Sequence, residues 1–123
     1  MKSEEMIEKV KRYITSVSTQ DIEAIKGLYD ENATVEDPVG TNPHVGIEAI
    51  CAFYQGGFAA QTKLELTGPV RCAGNSAAFP FTATPDLGGK KARIDVIDVF
   101  EFNDAGRVQS MRAYWGPENF TQV

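Results

Sequence analysis

Residues 93–102 read RIDVIDVFEF, and the rest of the chain can be laid out from this stretch. Its β-branched and aromatic residues nearly alternate with polar ones, a pattern typical of a β-strand. Successive side chains of a strand point to opposite faces, so one face holds Ile94, Val96, Asp98, Phe100 and Phe102. The only carboxyl group on that apolar face is Asp98. Burial favours the neutral form of a carboxyl group, and the neutral form can donate a hydrogen bond.

The composition predicts one domain over residues 1–123. The chain is 42% hydrophobic and 24% charged, which fits a soluble domain with a single core. Its net charge of −5 argues against a nucleic-acid or anionic-membrane partner. No apolar run approaches the roughly 18 residues of a membrane span. The N-terminal residues MKSEEMIEK also lack the apolar stretch of a signal peptide, so we expect a cytoplasmic protein.

Cysteine and histidine are too few to indicate a metal site or a disulfide framework. The chain has two cysteines, Cys51 and Cys72, and one histidine, His44. These residues do not have the spacing of zinc ligands. Since Cys51 falls one turn after Ile47 in a predicted helix, we interpret it as a small core residue.

Three helices are predicted in the N-terminal half. The first covers residues 3–18 with Ser3 as its N-cap, and the second, shorter one follows Asp21. The third runs from about 46 to 55. The inward face of each helix includes a tyrosine, namely Tyr13, Tyr29 and Tyr54 in chain order.

Strands make up most of the remaining chain. A short strand is predicted at 33–37, and longer ones follow at 63–73, 76–84, 91–102 and 107–115. Tight turns rich in Gly, Asn and Pro separate the longer strands. We therefore predict an α+β fold in which a strongly curved, mainly antiparallel sheet packs against three N-terminal helices. Polar groups directed inward indicate an apolar pocket between the two layers.

Five polar groups are in phase with core positions, and these are Tyr13, Tyr29, Asp37, Tyr54 and Asp98. A tyrosine in a helical apolar stripe is usually a core residue whose hydroxyl reaches water or backbone. Aspartate is different, because it is rarely buried without a partner. Two structural roles remain open: Asp37 as a turn residue before Pro38, and Asp98 as a hydrogen-bonding partner of the backbone.

Taken together, these groups favour proton transfer. Asp37, at a strand end, should be ionised and act as a general base. Asp98 and Tyr13 should be neutral donors, and two donors directed at one point form an oxyanion hole. A base combined with an oxyanion hole suits proton abstraction next to a carbonyl group. The Val, Ile, Phe, Met and Trp residues around them predict an apolar substrate.

From about Met6 to Glu118, the chain resembles bacterial Δ5-3-ketosteroid isomerases of the NTF2-like superfamily. The most specific match is DENATVEDPVG at 30–40, which places the general base at Asp37. KRYI places the oxyanion tyrosine at Tyr13, and VIDVF places the protonated aspartic acid at Asp98. Ketosteroid isomerase is itself the known precedent for a neutral aspartic acid in an oxyanion hole.

The same resemblance implies supporting residues. Tyr29 and Tyr54 fall where some family members have tyrosines hydrogen-bonded behind the oxyanion tyrosine. MRAYW, at 111–115, resembles the last strand, in which a tryptophan lies near the base. The substrate pocket is expected to be lined by Trp115, Phe79, Phe81 and Met111.

The resemblance implies an NTF2-like cone and a cofactor-independent steroid delta-isomerase. Such an enzyme moves the C5–C6 double bond of a 3-oxo-Δ5-steroid to C4–C5 through a dienolate. It needs no cofactor, because one carboxylate removes and returns the proton. A homodimer formed through the outer face of the sheet is also implied. The alternatives are another NTF2-like enzyme, such as a polyketide cyclase or an epoxide hydrolase, and a non-catalytic module that binds apolar ligands.

Overall fold

A computed structural model describes residues 1–123. Its helices are α1 (Ser3–Ser18), α2 (Ile22–Leu28) and α3 (Ile47–Gly57), as the periodicity predicts. Asp21 caps α2 by accepting a hydrogen bond from the backbone N–H of Ala24. Ser3 is the first residue of α1 and not its N-cap, which is Lys2. No helix is long and apolar enough to cross a membrane.

Nine strands form the second layer. They are β1 (Tyr29–Glu36), β2 (His44–Val45), β3 (Lys63–Leu66), β4 (Arg71–Ala73), β5 (Ser76–Thr84), β6 (Asp86–Leu87), β7 (Lys90–Phe102), β8 (Val108–Tyr114) and β9 (Phe120–Gln122). The main path of the sheet is β2-β1-β8-β7-β5-β3, with β4 on β5 and with β6 and β9 on β7. Only β1 and β8 pair in parallel, so the prediction of a mainly antiparallel sheet is confirmed.

Strand β7 is the longest strand, and its two neighbours pair with it on either side. Its side chains alternate as predicted: Asp98 and Phe100 are buried, whereas Ile97 is 48% exposed. The inner face looks toward the helices and the outer face toward solvent. The strand therefore contributes directly to the interior.

The structure departs from the prediction where pairing depends on distant segments. Tyr29 is not the last helical residue, because it pairs with Val108 and begins β1. The predicted strand at 63–73 is divided into β3 and β4, since residues 67–70 leave the ladder. The C-terminal residues, which have no clear period, form a 3₁₀ turn and then β9 against β7.

The core lies between the inner face of the sheet and the helices. Its fully buried members include Met6, Val10, Ile50, Phe79, Phe100 and Met111. Phe100 and Phe79 meet the ring of Tyr13 edge-on, with centroid separations of 5.1 and 6.1 Å. These aromatic contacts fix the position of the Tyr13 side chain.

Candidate active site

A cavity of about 220 Å³ lies beside this core, between the sheet, α1 and α3. Tyr13, Asp37, Tyr54, Asp98 and Trp115 all line it. Its apolar wall includes Val17, Phe53, Phe58, Leu64, Phe81, Ala83, Ile94 and Val96. The structure therefore brings both predicted acids and two of the three tyrosines to one apolar space.

Asp98 lies in the middle of β7 and is 1% exposed. It faces Phe79 on one neighbouring strand and Ala113 on the other, and neither side chain offers a polar group. Neither carboxyl oxygen has a hydrogen-bond partner in the protein. Burial raises the pKa of Asp98 well above its ordinary value, and the negative charge of Asp37 raises it further. A neutral Asp98 therefore has an O–H that the fold does not use and that can serve a ligand.

Tyr13 provides a second neutral donor. It is 3% exposed, and its hydroxyl lies 3.0 Å from that of Tyr54. Burial raises the pKa of Tyr13 well above its ordinary value, and ionisation of Asp98 would raise it further. The phenol consequently stays protonated over the pH range in which proteins function.

The tyrosine hydroxyls form a chain that links three elements. Tyr29 on β1 bonds Tyr54 on α3 at 2.6 Å, and Tyr54 bonds Tyr13 on α1. Either oxygen of each pair can donate. When Tyr29 donates to Tyr54 and Tyr54 donates to Tyr13, the proton of Tyr13 is left for a ligand in the cavity.

Asp37 lies one residue beyond β1 and is half-buried. The indole N–H of Trp115 donates to its Oδ1 at 2.8 Å. Burial raises the pKa of Asp37, whereas the Trp115 hydrogen bond and the charge of His44 oppose the rise. Because Oδ2 makes no hydrogen bond within the protein, it can accept a proton from a ligand.

The parallel pairing of β1 and β8 places Asp37 beside Trp115. Glu36 pairs with Arg112, and both strands end shortly after this point. Glu36 itself faces outward, where it accepts hydrogen bonds from Arg112 and from the Gly40 N–H. The two adjacent acids of the motif thus have different surroundings, and only Asp37 reaches the cavity.

The structure brings only two of the four predicted pocket residues to this cavity. Phe81 and Trp115 line the cavity, but Phe79 and Met111 do not. Both are fully buried in the core, because Tyr13 covers Phe79 and Phe100 lies across from Met111. Strand alternation identifies the face of a residue, but it does not reveal whether a helix covers that residue.

Two polar residues that line the cavity, Gln20 and Thr62, were not identified by the sequence analysis. Gln20 lies beyond the C-cap of α1 and has a positive φ of 54°, so helical spacing from Tyr13 does not predict where its side chain points. Thr62 lies in an irregular segment before β3, which has no periodic pattern either.

The histidine and the cysteines lie outside the polar group. The His44 ring stacks on Phe53 with centroids 4.4 Å apart, on the far side of a cavity wall residue. Cys51 and Cys72 are free thiols. No cluster of three His, Cys, Asp or Glu residues is arranged to hold a metal ion.

Comparison with known sequences gives one family match and two informative relatives. The model of the SnoaL-like domain matches residues 10–111. A steroid Delta-isomerase of Nocardioides simplex is 40% identical over 108 residues, which cover 88% of this chain and 87% of that one. The epoxide hydrolase LasB of Streptomyces lasalocidi is 28% identical over 109 residues. Those residues cover 85% of this chain but only 39% of LasB.

A solved structure is similar over the full length. It is that of SalBIII, an epoxide hydrolase/cyclase-like enzyme with a role in pyran ring formation in the polyether salinomycin. The TM-score is 0.91 at 29% sequence identity, with 100% of both chains covered. All three of these relatives are described as enzymes.

Proposed function

This chain belongs to the SnoaL-like family, and on that premise we propose that it is a steroid Δ5-3-ketone isomerase. The observation that carries the proposal is the composition of the cavity. A half-buried carboxylate, Asp37, shares an apolar space with two buried neutral donors, Tyr13 and Asp98. The 40% identity to a steroid Delta-isomerase supports the same reaction.

Asp37 acts as the base in this mechanism. Its carboxylate removes a proton from C4, the carbon between the 3-carbonyl and the C5–C6 double bond. The Trp115 N–H holds one carboxylate oxygen and leaves the other for the proton. Asp37 then returns that proton at C6, which gives the conjugated 4-ene. The base is regenerated in each cycle, so the reaction is redox-neutral and consumes no co-reactant.

Tyr13 and Asp98 stabilise the intermediate. Removal of the proton moves negative charge onto the 3-oxygen, which accepts hydrogen bonds from both groups. A preorganised donor in a water-excluded site accelerates such a step by about 10²- to 10³-fold. Tyr54 and Tyr29 support Tyr13 by donating along the hydroxyl chain.

The relatives make epoxide opening the second candidate. SalBIII is similar over its whole length, and LasB is named an epoxide hydrolase. The same cavity has the required groups, since Asp98 can protonate an epoxide oxygen while Asp37 accepts a proton from the attacking hydroxyl. We favour the isomerase because the isomerase relative is more similar in sequence than either epoxide enzyme.

The decisive assay uses 5-androstene-3,17-dione and follows the ultraviolet absorbance of the conjugated enone. We expect turnover by the wild type and its near-complete loss in Asp37→Ala. The control is Glu36→Gln, which changes the neighbouring outward-facing acid and should remain active. A wild type that opens an apolar epoxide but leaves the steroid unchanged would favour the second candidate. Binding of the steroid without turnover would identify a binding module.

A homodimer remains a prediction. Ile97 and Tyr114 are adjacent on the outer face of the sheet and are 48% and 44% exposed. Sedimentation equilibrium should give twice the monomer mass of 13.4 kDa. An Ile97→Lys variant should shift this equilibrium toward monomer, and a wild-type monomer would contradict the prediction.

A further inference from the structure

The cavity wall includes two polar side chains, Gln20 and Thr62, besides the groups around Asp98. Along α1, Tyr13 is followed one turn later by Val17, and Gln20 lies two residues past the end of the helix at Ser18. Along β7, the wall passes from Asp98 through Val96 to Ile94, about 13 Å away. Both elements lead away from the two donors in the same direction.

Strand β3 confirms which residues close the remote end. Leu64 pairs with Ala83 and Leu66 pairs with Phe81. Because the strands are antiparallel, Thr62 lies beyond Ala83, on the side away from Phe81. The hydroxyl of Ser18 accepts a hydrogen bond from the Leu64 N–H at 2.9 Å, which joins the end of α1 to this strand. Gln20 and Thr62 are therefore the polar side chains at the end remote from Asp98.

The amide of Gln20 has a defined orientation. Its Nε2 donates to the carbonyl oxygens of Ser18 at 3.1 Å and Val17 at 3.4 Å. Because carbonyl oxygens can only accept, the N–H side of the amide must face them. The other side, Oε1, makes no hydrogen bond within the protein. The half-buried Gln20 thus offers an acceptor at the remote end of an otherwise apolar wall.

We propose that Gln20 is a specificity-determining residue whose Oε1 accepts a hydrogen bond from a hydroxyl group on the substrate, at the end remote from the reacting carbonyl. The inference rests on the proposed isomerase function. In a 3-oxo-Δ5-steroid the remote position is C17, so the preferred substrates are 17-hydroxy steroids. A 17-ketone has only acceptor lone pairs and cannot pair with Oε1. Thr62 does not discriminate, because a hydroxyl can donate as well as accept.

The test compares two substrates in three proteins. The value of kcat/KM is measured for 17β-hydroxy-5-androsten-3-one and 5-androstene-3,17-dione with the wild type, Gln20→Met and Thr62→Val. Methionine keeps the length and unbranched shape of glutamine but removes the acceptor. We expect Gln20→Met to lower the hydroxy-to-oxo ratio about three- to tenfold, the effect of one hydrogen bond. Thr62→Val should keep the wild-type ratio, because a hydroxyl at this position can pair with either substrate.

An unchanged ratio in Gln20→Met, or an equal drop in Thr62→Val, would overturn the role of Gln20 and leave the isomerase proposal intact. Turnover of neither steroid by the wild type would overturn the isomerase proposal as well. Product inhibition of the wild type tests the same inference without a variant, so the test does not depend on the folding of Gln20→Met. The 17β-hydroxy product should inhibit the wild type more strongly than the 17-oxo product, and equal inhibition constants would contradict the inference.

Discussion

Asp37 and Asp98 carry the same functional group in two different parts of one sheet. Asp98 lies in the middle of a strand that is paired on both sides, with apolar neighbours. Asp37 lies just past the end of β1, where the chain turns into a loop and an indole N–H reaches it. The position of a residue in the sheet thus controls the solvation of its carboxyl group, and solvation controls its protonation.

The polar partners make this difference larger. Burial raises the pKa of both groups; the Trp115 hydrogen bond and His44 oppose the rise at Asp37, whereas Tyr13 alone opposes it at Asp98. Asp98 has no partner for either oxygen, and the charge of Asp37 disfavours its ionisation further. The charge of Asp37 thus helps to keep Asp98 in the neutral form that its proposed role requires.

The largest expected effect comes from removing the base. Asp37→Asn keeps the shape and the Trp115 hydrogen bond but cannot take a proton, so we expect kcat to fall by about 10⁴-fold. Stopped-flow measurement of enone formation gives the rate, and circular dichroism checks the fold. Activity of Asp37→Asn within tenfold of the wild type would show that Asp37 is not the base and would remove the proposed difference in role between the two acids.

Changes at Asp98 should have a smaller effect. Asp98→Ala removes one of two donors, so kcat should fall by about 10²- to 10³-fold. Asp98→Asn still presents an N–H to the oxyanion and should lose less. Steady-state kinetics of both variants provide the comparison, and equal losses would show that Asp98 is structural.

Replacement of Trp115 should shift a pH profile. Trp115→Phe removes the donor that stabilises ionised Asp37, so the pKa of Asp37 rises. The base must be ionised to work, and the acid limb of kcat/KM should therefore move by about one unit to higher pH. The plateau at high pH should change less than the limb. An unmoved limb would mean that Asp37 does not titrate in that profile.

The smallest effect concerns stability. In the folded protein Asp98 keeps its proton, whereas in the unfolded chain it ionises above its ordinary pKa of 3.8. Wild type should therefore lose stability relative to Asp98→Asn as the pH rises from about 4, by at most about 1.4 kcal/mol for each pH unit. Urea unfolding at several pH values measures this difference. Parallel curves for the two proteins would show that Asp98 is ionised in the fold.

Local pattern was enough to predict the inner face of β7 and the inward direction of Asp98. The motif around Asp37 located the other acid, although its indole partner lies on a distant strand. The start of β1 was not predictable, because Tyr29 pairs with Val108, which is distant in the sequence. The depth of Phe79 and the exposure of Gln20 to the cavity likewise depend on how α1 crosses the sheet, which no local window contains.

Because β7 is paired on both sides, insertions and deletions are tolerated less well in this strand than in the loops of the fold. A one-residue insertion within the strand would turn Asp98 outward and Ile97 inward, exchanging every inner and outer side chain beyond it. Residues 58–62, between α3 and β3, belong to no ladder and can change in length without such an inversion. Changes in that segment can therefore alter which molecules enter the cavity, while the strand keeps Asp98 directed inward.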